Sequence, residues 1–146
     1  MRLALLLLVG CATESPQQVL CSESIDKAGD DPSWFDIENH VREARAMDQV
    51  LLYHGHVPGE ILKVSTVERM LQLAASENLP VLRYDQIATA KHGGIALAID
   101  DNAIDDWYAL RPIFQQYGAT ITFFVSRWQT FTPEQLAELD QLAADG

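Results

Sequence analysis

The chain has 146 residues, 48% of them hydrophobic and 8% aromatic, enough for one domain with a real core and too apolar for a disordered chain. With 10 Lys and Arg against 21 Asp and Glu, a formal charge of -11 and a pI near 4.5, it lacks the clustered cations that neutralise phosphates, which argues against nucleic-acid binding. The acidic surface favours solubility and names no partner.

Met1 to Cys11 reads MRLALLLLVGC, with one basic residue and an apolar run from Leu3 to Val9 that is too short to span a bilayer. Leu8, Val9, Gly10 and Cys11 resemble a bacterial lipobox, in which cleavage before the cysteine leaves a thioether-linked diacylglycerol. That resemblance implies a signal peptide over 1–10, a lipid anchor on Cys11 and a place in the bacterial cell envelope. Ala12 is similar to the residue that follows the cysteine in lipoproteins passed on to the outer membrane, facing the periplasm. An ordinary buried helix start, or a secretory signal cut elsewhere, is the competing reading. A lipidated Cys11 leaves Cys21 without an intrachain partner, whereas a differently processed chain could close a short disulfide loop. The rest of 11–33, rich in Ser, Glu, Gln, Asp and Gly with two prolines, has the composition of a solvated tether.

The domain is expected over 34–146. Ser33 with Asp36 makes an imperfect capping box, and Trp34, Ile37, Val41 and Ala44 recur at helical spacing up to Met47. Val50 to Tyr53 predicts a short buried strand, followed by a turn-rich loop from His54 to Gly59. Ser65 and Glu68 form a capping box for a helix over Thr66 to Glu77, with Val67, Met70, Leu71 and Ala74 on one face. Val81 to Tyr84 predicts the next strand, and Asp85 can cap a helical turn through Ala88. Gly93 and Gly94 then feed the most apolar strand, Ile95 to Ile99.

Asp105 and Asp106 precede a helical stretch from Trp107 to Tyr117, where their charges favour a helix N-terminus. Pro112 predicts a kink in it and Gly118 its end. Thr120 to Val125 predicts a strand, and Thr132, Pro133 and Gln135 open a last amphipathic helix carrying Leu136, Leu139 and Leu142 or Ala143. Alternating strands and helices predict an α/β fold with a parallel sheet of right-handed crossovers. Four strands are few for a closed barrel, and the strand expected after Gly146 is missing. The expectation is therefore the N-terminal part of a (β/α) barrel, apparently truncated, or an open remnant with an unpaired edge.

The chemistry gathers where the central strand ends on Asp100 and Asp101, because the C-terminal edge of a parallel sheet is where such folds place sites. Successive strand residues face opposite sides, so the two carboxylates can converge only if the backbone turns there, and Asn102 tolerates the left-handed geometry of such a turn. A strand-end turn with Asx capping is the structural alternative.

The succession Tyr53-His54-Gly55, Val81 to Asp85, Ile95 to Asn102 and Tyr117 to Val125 resembles the N-terminal half of the polysaccharide deacetylase family, carbohydrate esterase family 4. The resemblance covers 50–146. In that family the third strand ends in Thr-Phe-Asp-Asp-Gly, the next reads Ala-Thr-Phe-Phe-Val, and a later His-x-x-x-His segment completes the metal site. Here Ala98, Ile99 and Asn102 stand in place of the Thr, Phe and Gly, while both aspartates are present. The resemblance implies a partial barrel of the deacetylase type and hydrolysis of N-acetyl groups on an aminosugar polysaccharide. It implies Asp100 as catalytic base and Asp101 as a ligand to a divalent metal, usually zinc, alongside the two later histidines. No His-x-x-x-His occurs in these 146 residues, so an incomplete site and little or no activity are expected of this chain alone.

His54 and His56 are two apart and could face one side of a strand, and a His-x-His after a first barrel strand also resembles the metal-dependent amidohydrolases. A solvated turn, with His54 hydrogen-bonded near the pocket floor, is the plainer reading. His40 and His92 read as surface residues. Trp107 and Trp128 follow strand ends, where their rings could stack on a sugar or pack against protein. Arg127 could pair with a carboxylate or stand in solvent. A non-catalytic glycan- or partner-binding envelope lipoprotein remains the reading from a different class.

Overall fold

A computed structural model describes residues 22–26 and 31–146. The expected signal peptide, the anchor on Cys11 and Cys21 lie outside the described residues. Among the described residues no helix is long and apolar enough to cross a membrane.

The order is β1 (Glu23–Ser24), α1 (Asp31–Met47), β2 (Val50–His56), α2 (Val64–Ser76), β3 (Val81–Leu82), a 3-10 helix (Tyr84–Thr89), β4 (Gly94–Asp101), α3 (Ile104–Ala109), α4 (Arg111–Tyr117), β5 (Thr122–Val125), a 3-10 turn (Trp128–Thr130) and α5 (Pro133–Asp145). All strand pairings are parallel: β1 on β2, β2 on β4, and both β3 and β5 on β4. The chain is thus α/β, with a parallel sheet whose strands alternate with helices.

The sheet has five strands, one more than expected, because Glu23 and Ser24 pair with Tyr53 and His54. Part of the stretch with tether composition is therefore an edge strand. β3 covers Ile95 and Ala96, and β5 covers Ala98 to Asp101, so two strands share one edge of β4 in succession. Threonines stitch the joint: the Tyr84 N–H donates to Thr122 Oγ1 (2.9 Å) and Thr120 Oγ1 donates to the Val81 carbonyl (3.1 Å).

Alternation and register sort the sheet into two faces. Leu51, Tyr53, Ile95, Leu97, Ile99 and Phe123 share one. There the core gathers with Trp34, Ile37 and Val41 of α1, Val67, Met70 and Leu71 of α2, and Trp107 and Phe114 of α3 and α4. The other face carries His54, His56, Ala96, Ala98, Asp100, Thr122 and Phe124. Small alanines leave room on it for the Tyr84–Thr89 helix, whose Tyr84 ring meets Phe124 edge-on at 5.4 Å.

The apolar stripes expected of α1 and α2 are buried, but their starts differ. α1 begins at Asp31, so Ser33 lies inside its first turn. α2 begins at Val64 after an extended Lys63, without a side-chain cap, so Ser65 is already helical and its box with Glu68 does not form. The expected kink at Pro112 is a break between α3 and α4, with Pro112 in the first turn of α4, where its missing N–H costs nothing. Gly118 ends α4 at φ 58°, a backbone that a Cβ disfavours.

The Thr132–Gln135 capping box does form, with reciprocal bonds of 3.2 Å. Thr132→Ala is expected to cost about 1 kcal/mol, read as a shift in the denaturant midpoint. Leu139 and Leu142 carry the buried stripe of α5, while Leu136 and Ala143 are exposed. Arg111 ties the helix back by pairing with Asp145.

Candidate functional site

β2 is longer than its apolar run suggests. Its ladder with β4 continues through Gly55↔Ile99 to His56↔Asp100, so His54 and His56 are strand residues on one face rather than parts of a loop. Gly55 makes this possible: a Cβ there would lie 2.7 Å from Leu62 Cδ2 and 3.3 Å from Asp26 Oδ1.

Asp26, just past β1, fills the space so left. The Ile25 N–H donates to the His54 carbonyl (2.9 Å), which fixes the chain. Asp26 Oδ1 then accepts the His56 N–H (2.8 Å), and Oδ2 lies 2.7 Å from His56 Nδ1 and accepts from Ser24 Oγ (3.0 Å). On the far side of the ring, His56 Nε2 stands 3.9 Å from Asp100 Oδ2, too long for a hydrogen bond but close for charges. Asp100 Oδ1 is buried with no hydrogen-bond partner among the described residues. His54 turns its Nδ1 to Ser22 Oγ (3.0 Å), which also accepts from the Tyr84 hydroxyl (3.1 Å).

The left-handed turn falls at Asp101 (φ 91°), one residue before Asn102, where it was expected. The ladder holds β4 through Asp101, whose carbonyl accepts from the Ser126 N–H at 2.6 Å, so the reversal is compressed into that residue. Asn102 is exposed beyond it.

Burial raises the proton affinity of Asp100, and the charges of Asp101 and Asp26 add to this. The nearby histidines oppose it, and the balance leaves Asp100 above the ordinary carboxylate. The hydrogen bond to Asp26 raises His56; burial opposes this, while the charges of Asp26, Asp100 and Asp101 reinforce it. Burial acts to raise Asp26 as well, but bonds from the His56 backbone and ring and from Ser24 outweigh it and leave it lowered.

The Asp26–His56 pair should therefore stabilise the fold most between its two titrations. The His56 contribution is complete below its ordinary value of 6.5 and fades as pH rises through its higher folded value. The Asp26 contribution is present above 3.8 and is lost as pH falls through its lower folded value. Asp26→Asn is expected to flatten the alkaline loss, measured as stability against pH.

Among the described residues no three His, Cys, Asp or Glu side chains converge as a metal-holding group. The Nδ1 atoms of both histidines of the His-x-His pair are engaged, His54 by Ser22 and His56 by Asp26. Zinc takes at least three protein ligands, so the described residues do not by themselves fit a zinc centre, and Asp101 would supply one ligand at most.

The remaining candidates stand apart. Trp107 is fully buried on the helix face, stacked on Phe123 at 5.0 Å. Trp128 is 60% exposed on the turn after β5 and, among the described residues, makes no hydrogen bond or ring contact with the cluster. Arg127 forms no ion pair among the described residues. His40 is exposed, and His92 stands in solvent 3.7 Å from Asp48. A groove of about 620 Å³ runs beside β5 and α5 over Ile121, Phe123 and Leu139, and neither Asp100 nor His56 lines it. Sequence reasoning missed Ser22 and Asp26. Their one trace is Ile25, a lone apolar residue in a polar stretch, which is fully buried.

No family model, curated protein or solved structure matches the chain.

Proposed function

We propose that this chain is the N-terminal part of a polysaccharide deacetylase-type barrel, a hydrolase that removes N-acetyl groups from an aminosugar polysaccharide. The observation that carries the reading is Asp100, at the C-terminal end of the central parallel strand, with one carboxylate oxygen buried and unpartnered among the described residues. Amide hydrolysis joins a water oxygen to the carbonyl carbon, breaks the C–N bond and delivers a proton to the departing amine. A carboxylate with raised proton affinity suits the first proton transfer, from water to Asp100. Asp101 is the proposed ligand to a divalent metal, probed first as zinc. The proposed setting is the bacterial envelope, through a lipid on Cys11.

Acetate release from N-acetylglucosamine oligomers by protein containing this chain, with added zinc and with a chelator, tests the reading. Release that the chelator abolishes is expected. A glycan-binding lipoprotein is the competing reading. Oligomer binding untouched by the chelator, with no acetate released, would decide for it.

A further inference from the structure

The N-terminal edge strand brings a carboxylate to the site that neither the sheet nor the core requires. Asp26 grips a single residue twice, at the backbone N–H and at the ring of His56. Holding a backbone amide needs only Oδ1, and the contact with Nδ1 adds the orientation of the imidazole. An ionised Asp26 can only accept, so Nδ1 carries a proton and the ring cannot turn without losing that bond. The other nitrogen is thereby aimed at Asp100 Oδ2. Asp26 is mostly buried, and removing a carboxylate from water is costly unless its partners are well placed. Gly55 supplies the space. The groups facing His56 are Asp26 from the end of β1, Asp100 and Asp101 from β4, and the edge-on ring of His54 on its own strand.

We infer that His56, locked by Asp26, is a positioning residue for Asp100: standing 3.9 Å from Oδ2, it fixes the orientation in which that carboxylate meets the reacting water. The inference rests on the reading of Asp100 as the proton acceptor. It assigns the segment before the barrel a part in the site, and it gives the second histidine of the His-x-His pair a role other than metal ligation.

Two amides dissect the ring. The Asn nitrogen mimics Nδ1 and keeps the bond to Asp26, whereas the Gln nitrogen mimics Nε2 and keeps the contact toward Asp100. In acetate release, His56→Asn is expected to lower kcat about tenfold or more at nearly constant KM, with His56→Gln recovering most of it. Thermal melts check that both variants fold. Wild-type kcat in a folded His56→Asn, or equal losses in the two variants, would overturn the inference while leaving the deacetylase reading intact.

A second readout needs no turnover: the Asp100 carboxyl carbon resonance in labelled protein. It is expected to move in His56→Asn and to stay near wild type in His56→Gln. If a longer wild-type protein that completes the metal site releases no acetate, the deacetylase reading falls, and this resonance alone judges the positioning. An Asp100 signal unchanged in His56→Asn would then end it.

Discussion

In a longer protein that contains this chain and completes the metal site, Asp100→Asn is expected to lower acetate release by about a hundredfold to ten-thousandfold, the range over which a positioned general base acts. The substitution keeps shape and removes the proton acceptor. Because Asp100 Oδ1 has no hydrogen-bond partner to lose among the described residues, the fold should tolerate the change. Zinc occupancy should survive in it, whereas Asp101→Ala should reduce both occupancy and turnover. A coupled acetate assay beside metal analysis of the purified variants reads both, and equal metal loss in the two would undo the division of roles. Burial holds Asp100 above its ordinary 3.8, so the wild-type rate should begin to fall, on acidification, at a higher pH than a solvated aspartate would give.

Trp107→Ala is expected to destabilise the domain by about 3–5 kcal/mol, the usual cost of truncating a large buried aromatic side chain. Against a typical total of roughly 5–15 kcal/mol this leaves a substantial unfolded fraction under mild stress. The ring is fully buried between helices and sheet, stacked on Phe123, which Phe114 also meets edge-on at 6.3 Å. The effect should reach the site, since Phe123 lies in register with Ile99 and its neighbour Phe124 with Asp100. Trp107→Phe should cost far less, because the indole N–H has no partner among the described residues. Denaturant unfolding of the two variants measures the difference.

Elements that bury one stripe or one face declared themselves in the sequence. Trp34, Ile37, Val41 and Ala44 repeat at helical spacing, and all four are buried. Ile95 to Ile99 read as the central strand and is fully buried. Gly118 and the Thr132 box punctuate their helices through local chemistry alone.

What stayed hidden depends on partners distant in sequence. A two-residue strand has no periodicity to read, so β1 became visible only through its pairing with β2. Gly55 between two histidines looks like a turn by composition, yet the ladder with β4 overrides that preference. The same holds for the site: the paired aspartates stood out, while Asp26 sat in a stretch whose composition matched a tether. It reaches His56 only after the sheet assembles.

The all-parallel sheet bears on how the domain forms. Antiparallel neighbours can meet across a two-residue turn, but every connection between sequential strands here runs through a helix, a 3-10 segment or both. Among the described residues no hairpin is available to nucleate the sheet. β4 must find β2, β3 and β5 by closing separate long loops, so refolding should take roughly milliseconds to seconds, well behind a helical bundle of the same length. The two-residue β1, which brings Asp26, can dock only once β2 is in place. The His56 ring should accordingly be among the last groups to be held, and a stopped-flow experiment should see its environment settle after the Trp107 signal does.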